Sequence, residues 1–547
     1  MFRSKAEEWS EKRKPETPGF CDEQKWPHKI KKFLYILLLF LLYSLKVVYN
    51  FFMQKLFLDT RQLDSSCRTS YNLSEDIMME NAASSIEEIV RSHTNLGKKV
   101  IILCGGGNNG GDGYALSRRL RTDFELKVYE CYEAKSNECL IQKNRAEMSG
   151  VIIENLKNLQ ISDIQTTSVV VDCIFGSGFR GEISDEQIEQ IITTINDFNS
   201  TDCFKIACDV PTGLHQDGTI SEFTFSADIT VSMGALKLCL YSDEAKDYTG
   251  KIVVANLGVS RSLFENSNSC NLETAFLLEE SDMILPFRKK NFVNKGSFGS
   301  AYIASGEKIG ASCIASRACL KFGAGLVSLI RPDLSFSKAD LADLTCEILT
   351  TFEFGERVDS LACGMGLGHN EKEIKYYFDY IKSNKKVKAV LDADVCYSTQ
   401  IKSLLSQSAS QIVLTPHPKE FSALLEVCSL GEYSISECVK FRLQLTEKFC
   451  RAFPGVVLLV KGSNPMIGIF TENAGFKAYI NPFGKPALAK AGSGDVLSGM
   501  ICSLLAQNYS TLDATLSASL AHALASRKIK NDFALTPLSL IEAVTQL

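Results

Sequence analysis

The sequence predicts an α/β protein of two domains built on mainly parallel sheets. Three observations lead there. From about Leu56 onward, short apolar runs rich in Val, Ile and Leu alternate with helix-like stretches, the pattern of strand-helix-strand units. Several of these runs end directly in glycine-rich or acidic turns, which is where an open parallel sheet presents its loops. The chain of 547 residues also exceeds what one hydrophobic core organises. The Ser- and Asn-rich stretch Ser260 to Asn271 lacks apolar periodicity and marks the boundary, which gives domains at 56–260 and 272–547 and a linker at 261–271.

Ahead of these domains, residues 1–32 are polar and mixed in charge, unlike a transit peptide. Phe33 to Leu45 is uncharged, and after Lys46 the apolar character resumes through Met53. A bilayer span needs about 20 such residues. Segment 33–53 is therefore expected to be an apolar helix that anchors the chain to a membrane, with an interfacial helix or a signal-like core as competing readings. Lysines flank both sides, so topology stays open. Nineteen cysteines scatter through apolar stretches with no C-x-x-C, as buried thiols of a reducing compartment do. They place the catalytic domains on the cytosolic face of that membrane. A net charge of -5 argues against nucleic-acid binding.

In the first domain, Val100-Ile101-Ile102-Leu103 runs into Gly105-Gly106-Gly107-Asn108-Asn109-Gly110-Gly111-Asp112-Gly113, and a helix is expected from Tyr114 to Leu120. Strand, glycine loop and helix together make an anion site: glycines permit positive φ and close approach, and the helix start offers free N–H groups. Gly105, Gly107 and Gly110 fit G-x-G-x-x-G, and Glu130 follows Gly110 by twenty residues, as in a dinucleotide-binding Rossmann unit. A tight turn in an ordinary α/β domain is the plainer alternative. Two amides and a carboxylate in the loop exceed what phosphate cradling requires. Two further strand-like runs end in Asp172, followed by Gly176 to Glu182, and in Asp209-Val210-Pro211-Thr212-Gly213. All three loops should meet at the carboxyl end of one sheet, where Asn109, Asp172 and Thr212 offer oxygens to a monovalent cation and one carboxylate stays free for proton transfer. For Asp209, a turn-capping role is the competing reading.

These segments, in this order and spacing, resemble the NAD(P)H-hydrate epimerase domain, also called the YjeF N-terminal domain, as does the entry from Leu58-Asp59 to Met79-Glu80-Asn81-Ala82. The resemblance implies a Rossmann-like fold that interconverts R and S epimers at the hydroxylated C6 of damaged NADH or NADPH. It implies that the hydrated dinucleotide is bound by Asn108, Asn109, Gly110, Gly111 and Asp112, by Gly176, Ser177, Gly178, Phe179, Arg180, Gly181 and Glu182, and by Asp209. It further implies potassium at Asn109, Asp172 and Thr212, and Asp209 as the acid or base. Thr212 stands where the family usually has Ser and keeps the oxygen.

In the second domain, Ala489-Lys490-Ala491-Gly492-Ser493-Gly494-Asp495 opens an apolar helix expected from Val496 to Leu505. Small residues at a helix start leave N–H groups free for phosphate, and Asp495 beside them can take a proton from an alcohol that attacks a phosphoryl group. Strand ends at Asp392-Ala393-Asp394, at Pro416-His417-Pro418-Lys419-Glu420 and at Lys461-Gly462-Ser463 support the same site. A lone histidine is more often structural, but prolines on both sides orient His417.

With Asn294 to Gly299, Gly310-Ala311, Gly323 to Val327 and Gly364 to Gly368, these segments resemble the NAD(P)H-hydrate dehydratase family, which has a ribokinase-like α/β fold. By that resemblance Ala311, Gly366, His417 and Asp495 contact the hydrated dinucleotide, and Asp495 is catalytic. Lys461, Gly462, Ser463, Asn464, Pro465 and Gly494 contact ADP or ATP, with Mg2+ expected beside the phosphates. Two departures stand out. The family's Lys-Gly-x-x-Thr ends here in Pro465, and its Ala-Leu-Asn after Asp394 is replaced by Val395-Cys396-Tyr397. The expected protein is a bifunctional repair enzyme, a homo-oligomer acting on hydrated NADH or NADPH. A small-molecule kinase with a non-catalytic N-terminal binding module is the alternative, and a scaffold with no catalysis a further one.

Overall fold

A computed structural model describes residues 53–176, 186–266, 273–331, 347–349 and 353–547. Residues Gln54–Leu547 form one unit, while of Met1–Met53 only the last residue is described.

The strands run β1 (Gln54–Phe57), β2 (Lys99–Cys104), β3 (Glu125–Glu130), β4 (Ile153–Asn155), β5 (Val169–Cys173), β6 (Phe204–Cys208), β7 (Ile229–Met233), β8 (Leu236–Lys237), β9 (Lys251–Ala255) and β10 (Ala275–Leu277). They continue with β11 (Ser300–Ala304), β12 (Leu326–Ile330), β13 (Glu347–Leu349), β14 (Ser360–Cys363), β15 (Lys388–Leu391), β16 (Ile412–Leu414), β17 (Val457–Val460), β18 (Met466–Thr471) and β19 (Gly475–Ile480). Among the described residues they make two sheets.

The first sheet has seven parallel strands in the order β4-β3-β2-β5-β6-β7-β9. Its central strands are apolar on both sides: Val100, Ile102 and Cys104 enter one core, Ile101 and Leu103 the other. A parallel sheet covered on both faces requires this, because neither row of side chains meets water. Strand order reverses between β2 and β5, so the loops after these two strands diverge and open a crevice.

The second sheet has twelve strands in the order β13-β12-β11-β14-β15-β16-β17-β18-β19-β10-β1-β8. From β13 to β17 all neighbours are parallel, and β17, β18 and β19 then form antiparallel pairs. Its far edge is made by chain that precedes residue 260: β1 pairs with β10, and β8 pairs with β1. The stretch 261–271 begins as a helix, Arg261–Glu265, with Phe264 buried beneath Gly234. Residues 267–272 lie outside the described residues.

The expected transmembrane helix and the membrane-associated placement built on it are corrected. No helix among the described residues is long and apolar enough to cross a membrane. The 19-residue helix Glu75–His93 carries charge along its length, from Glu75, Asp76 and Glu80 to Arg91, and the 17-residue helix Thr511–Arg527 falls short of a span of about 20. Residues 33–52 lie outside the described residues.

Both glycine-rich segments were expected to remain loops for longer than they do. Helices start at Asn108 and at Ser493, so Asn109 to Gly113 and Gly494-Asp495 are helical. None of the glycines from Gly105 to Gly113 takes positive φ. Close approach explains them instead: a Cβ on Gly105 would stand 1.9 Å from the Ile174 carbonyl oxygen, and one on Gly110 1.9 Å from that of Gly105.

Candidate active sites

The crevice after β2 and β5 opens into a cavity of about 940 Å³ lined by Asn108, Asn109, Asp112, Gly176, Asp209 and Lys237 among others. The structure therefore brings the three acidic loops together. Asn108 and Asp112 stand one turn apart on the same helix face. Asp209 follows β6 with φ 69, a left-handed conformation costly for a non-glycine residue, and its N–H donates to the Val231 carbonyl at 2.8 Å. That bend turns the carboxylate into the cavity, where a Cβ on Gly176 would lie 3.3 Å from Asp209 Oδ2.

The carboxylate expected to stay free is not free. Lys237, on β8, is buried and ion-pairs with Asp209 Oδ1. Burial pulls the ammonium toward neutrality more than any other single influence, but the Asp209 charge and hydrogen bond, together with the Asp64 charge, hold its pKa above the ordinary lysine value. Burial and the Asp209 charge push Asp112 far above the usual carboxylate range, and the Cys208 thiol donates to its Oδ2 at 3.7 Å. Asp64, on the helix Arg61–Tyr71, also lines the cavity and is pushed up to about 6, chiefly by burial. One ionised pair thus sits among carboxyls biased toward the neutral, proton-donating form.

Asp172 is fully buried at the end of β5. The Thr212 hydroxyl donates to its Oδ1 and the Thr212 N–H to its Oδ2, both at 2.8 Å, and the Ile174 N–H donates to Oδ1 at 3.1 Å. Burial outweighs these bonds and raises the group to about 6. The Phe175 N–H donates to Thr212 Oγ1 at 3.1 Å, which ties both residues to the segment that reaches Gly176. Beside Gly176 the side chain of Asn109 is buried, and neither its Nδ2 nor its Oδ1 has a hydrogen-bond partner among the described residues. An orphaned amide is costly in a protein interior. Ser177, Gly178, Phe179, Arg180, Gly181 and Glu182 lie outside the described residues.

The second site gathers at the ends of β14 to β17. Gly492, with φ 89, caps the helix Ser493–Ala506, and Asp495 lies in its first turn. Burial, then the neighbouring Asp392 charge, pushes Asp495 up to about 6. Asp392 is the hub: Lys461 Nζ donates to its Oδ1 at 2.6 Å, the Ser498 hydroxyl to its Oδ2 at 2.7 Å and the Ala393 N–H to its Oδ1 at 2.9 Å. Gly494 faces this pair, since a Cβ there would lie 3.2 Å from Lys461 Nζ. The turn carrying Gly366 rests on the same hub, for the Asp394 N–H donates to the Gly364 carbonyl at 3.3 Å. Gly366 and Ala311 adjoin, with a Cβ on Gly366 3.2 Å from that of Ala311.

His417 is placed differently from a free substrate ligand. It is the N-cap of the helix Pro418–Val427, its Nδ1 accepts the Glu420 N–H at 3.2 Å, and its Nε2 meets Glu420 Oε1 at 3.0 Å. Ser463, Asn464 and Pro465 follow Lys461 into a loop held by residues 241–246, with Asn464 buried. The sequence reading missed Lys237 and Asp64 as site groups; it placed Asp392 and Lys461 at the second site but did not foresee that they pair. It also missed His522, buried behind Ser493, where its Nε2 lies 3.0 Å from the Ser493 carbonyl and burial lowers its pKa to about 4.

Comparison with known proteins agrees with this division. A family model described as YjeF-related protein N-terminus matches residues 75–239, and one described as NAD(P)H-hydrate dehydratase matches residues 302–546. The chain is 40% identical to the bifunctional NAD(P)H-hydrate repair enzyme Nnr of Helicobacter pylori over 89% of its own length and 98% of that protein. It is 30% identical to the Nnr of Moorella thermoacetica over 82% of its length and 86% of that one. Among solved structures it is similar to an ADP/ATP-dependent NAD(P)H-hydrate dehydratase from Bacillus subtilis co-crystallised with ATP and Mg2+, at 20% identity and TM-score 0.38, covering 47% of this chain and 92% of that one. Identity of 40% across nearly all of one relative shows the family, and the chain is a member of the bifunctional NAD(P)H-hydrate repair enzymes.

Proposed function

We infer that the first half, 56–260, epimerises hydrated NADH or NADPH at C6 and that the second, 272–547, dehydrates the S epimer at the expense of ADP or ATP. The observation that carries this is that one chain sets Asp209 and Asp495 in two separate carboxylate clusters, each at the carboxyl ends of its own sheet.

C6 bears both the hydroxyl and the ring nitrogen, so inversion breaks and remakes one bond to that carbon and needs a proton donor and a proton acceptor. Asp209, whose carboxylate faces the buried Lys237 ammonium, is the acceptor. Asp112 or Asp64, biased toward the protonated form, supplies the donor. Asn108 and the helix start at Gly107 receive the dinucleotide phosphates. Potassium would be held by oxygens of Asn109, whose amide has no hydrogen-bond partner among the described residues, of Asp172 and of Thr212. When bound, that cation offsets the buried Asp172 charge and fixes Asn109.

In the second half the ribokinase-like site works through the helix start. Gly494 and its neighbours present free N–H groups to the transferred phosphoryl, and Lys461, with Asp392, borders it. Asp495 takes the proton as the C6 oxygen attacks phosphorus. Phosphate then leaves from C6 with its bonding pair, a proton is lost from C5, and the C5–C6 double bond of the dihydronicotinamide forms. Bound Mg2+ would supply charge neutralisation to the nucleotide's phosphates beside this helix start. The test supplies mixed NADH-hydrate epimers, K+, Mg2+ and ADP or ATP to the purified chain and follows dihydronicotinamide absorbance. Full recovery is expected. Recovery that stalls near half removes the epimerase reading, and none with either nucleotide removes the dehydratase reading.

A further inference from the structure

The loop that follows Lys461 is anchored in its own half at its two ends, where the Lys461 N–H donates to the Pro416 carbonyl at 2.9 Å and the Pro465 carbonyl accepts from the Asn481 N–H at 3.0 Å, but between them it is held by the first half. Lys246, in the short turn Ala245–Asp247, extends its ammonium to four oxygens of the second half: the carbonyls of Ser463 at 2.6 Å, Gly484 at 2.8 Å and Pro482 at 3.2 Å, and Asn464 Oδ1 at 2.9 Å. Three backbone carbonyls and an amide oxygen converging on one point repel one another unless a cation stands between them. An ammonium with three protons suits the place, one proton being shared.

Asp243, three residues earlier, holds the same loop from the other side. Its Oδ1 accepts the Asn464 N–H at 2.8 Å, and its Oδ2 accepts from Arg442 at 2.8 Å. The Asn464 amide donates in turn to the carbonyls of Tyr241 at 3.1 Å and Ser242 at 3.2 Å. The fit leaves no room for side chains: a Cβ on Gly462 would stand 2.2 Å from Asp243 Oδ2, and one on Gly484 2.5 Å from the Ser463 carbonyl oxygen. Segment 241–246 therefore serves as the mould against which the loop 462–464 takes its shape.

We propose that Lys246, with Asp243, is a positioning residue for the dehydratase, supplied by the epimerase half to fix the nucleotide-binding loop 461–465. The proposal rests on the reading of that loop as the nucleotide contact. Lys246 touches backbone on both sides of the loop and no reacting atom, so its loss loosens nucleotide binding without disabling Asp495. The loop's Pro465, which lacks the hydroxyl and N–H of the family pattern, makes external shaping more consequential, because one direct contact to nucleotide is already missing.

The test compares Lys246→Met, Lys246→Arg, Asp243→Asn and Gly494→Ala in the full chain, with ADP and ATP titrated separately from the hydrate. Lys246→Met should raise the nucleotide KM about tenfold, the equivalent of one charge-assisted hydrogen bond. kcat, the hydrate KM and epimerisation should hold. Lys246→Arg, which keeps the charge, should recover part of the affinity, and Asp243→Asn should shift the nucleotide KM in the same sense, which keeps the proposal testable if Lys246→Met does not fold. Unchanged nucleotide KM in the Lys246 and Asp243 variants, with a raised one in Gly494→Ala, overturns the role of Lys246. Both activities falling together with thermal stability would make Lys246 a mere tie between the halves and also overturns it. A nucleotide KM unmoved in all four, Gly494→Ala included, means that the loop is not the nucleotide site.

Discussion

Lys237 reaches Asp209 from a strand that belongs to the other sheet: β8 is hydrogen-bonded to β1, at the edge of the twelve-stranded sheet, while Asp209 ends β6 of the seven-stranded one. The proposed base of the first site is thus paired with a lysine mounted on the second half's framework. Replacing Lys237 by Met should slow epimerisation about 10²-fold or more, since Asp209 then loses the buried cation that favours its ionised form. Recovery from mixed epimers should stall near half while pure S-hydrate is still dehydrated at the normal rate. Asp209→Asn should stall in the same way, and the double variant should be no slower than either single one.

Asp495 titrates where its function can be read. Its pKa is raised to about 6 by burial, so it is ionised and able to accept a proton above that pH and loses this ability as pH falls through it. The dehydration kcat should therefore decline on the acid side with an apparent pKa near 6. Because folding raises the pKa, the ionised carboxylate costs stability at neutral pH. Asp495→Asn should abolish recovery yet raise stability above pH 6 by on the order of 2 kcal/mol, measured by denaturant melts at pH 7.5, 5 and 3.5, with the gain shrinking as pH falls below about 6 and gone only below the unfolded value of 3.8.

What was legible in the sequence followed from strand ends. Asp172, Asp209, Asn109 and Asp495 directly follow apolar runs or open helices, so their convergence could be read from parallel-sheet logic alone. Lys237 could not, because it sits in the unremarkable run Leu236 to Tyr241 and acquires its partner only through β8 crossing to the second sheet. The helix starts were placed too late because glycine is a poor helix former in isolation. Tertiary contact decided otherwise: Gly110 and Gly113 are helical because the Gly105 carbonyl and the Cys104 and Cys173 side chains leave space for nothing larger. The prolines around His417 were expected to orient its ring, and Pro418 does so as the first residue of a helix that His417 caps.

The close approach at β2 and β5 separates two glycines of the same run. A Cβ on Gly105 would strike the Ile174 carbonyl, whereas one on Gly107 has nothing within 4 Å. Gly105→Ala should destabilise the protein by about 1–3 kcal/mol and widen the crevice, with loss of epimerisation. Gly107→Ala should stay within about 0.5 kcal/mol of the parent. Equal melting temperatures for the two variants would show that the backbone contact does not constrain the site.

Potassium dependence tests the orphaned Asn109 amide. A bound cation would give Asn109 Oδ1 a partner and Asp172 a compensating charge; without it, Asp172 is a buried carboxyl raised to about 6 and the Asn109 amide has no hydrogen-bond partner among the described residues. Epimerisation should fall several-fold in buffers where K+ is replaced by tetramethylammonium, which is too large for the site, and should return on adding K+. Dehydration of pure S-hydrate should not respond. Asn109→Leu fills the space with an apolar side chain of similar size, removes the buried unpaired amide and with it one potassium ligand. The variant should melt no lower than the parent in the absence of K+ and should lose the rise in melting temperature that K+ gives the parent. A parent protein whose melting temperature and epimerisation rate are both indifferent to K+ would leave Asn109 without a cation to hold.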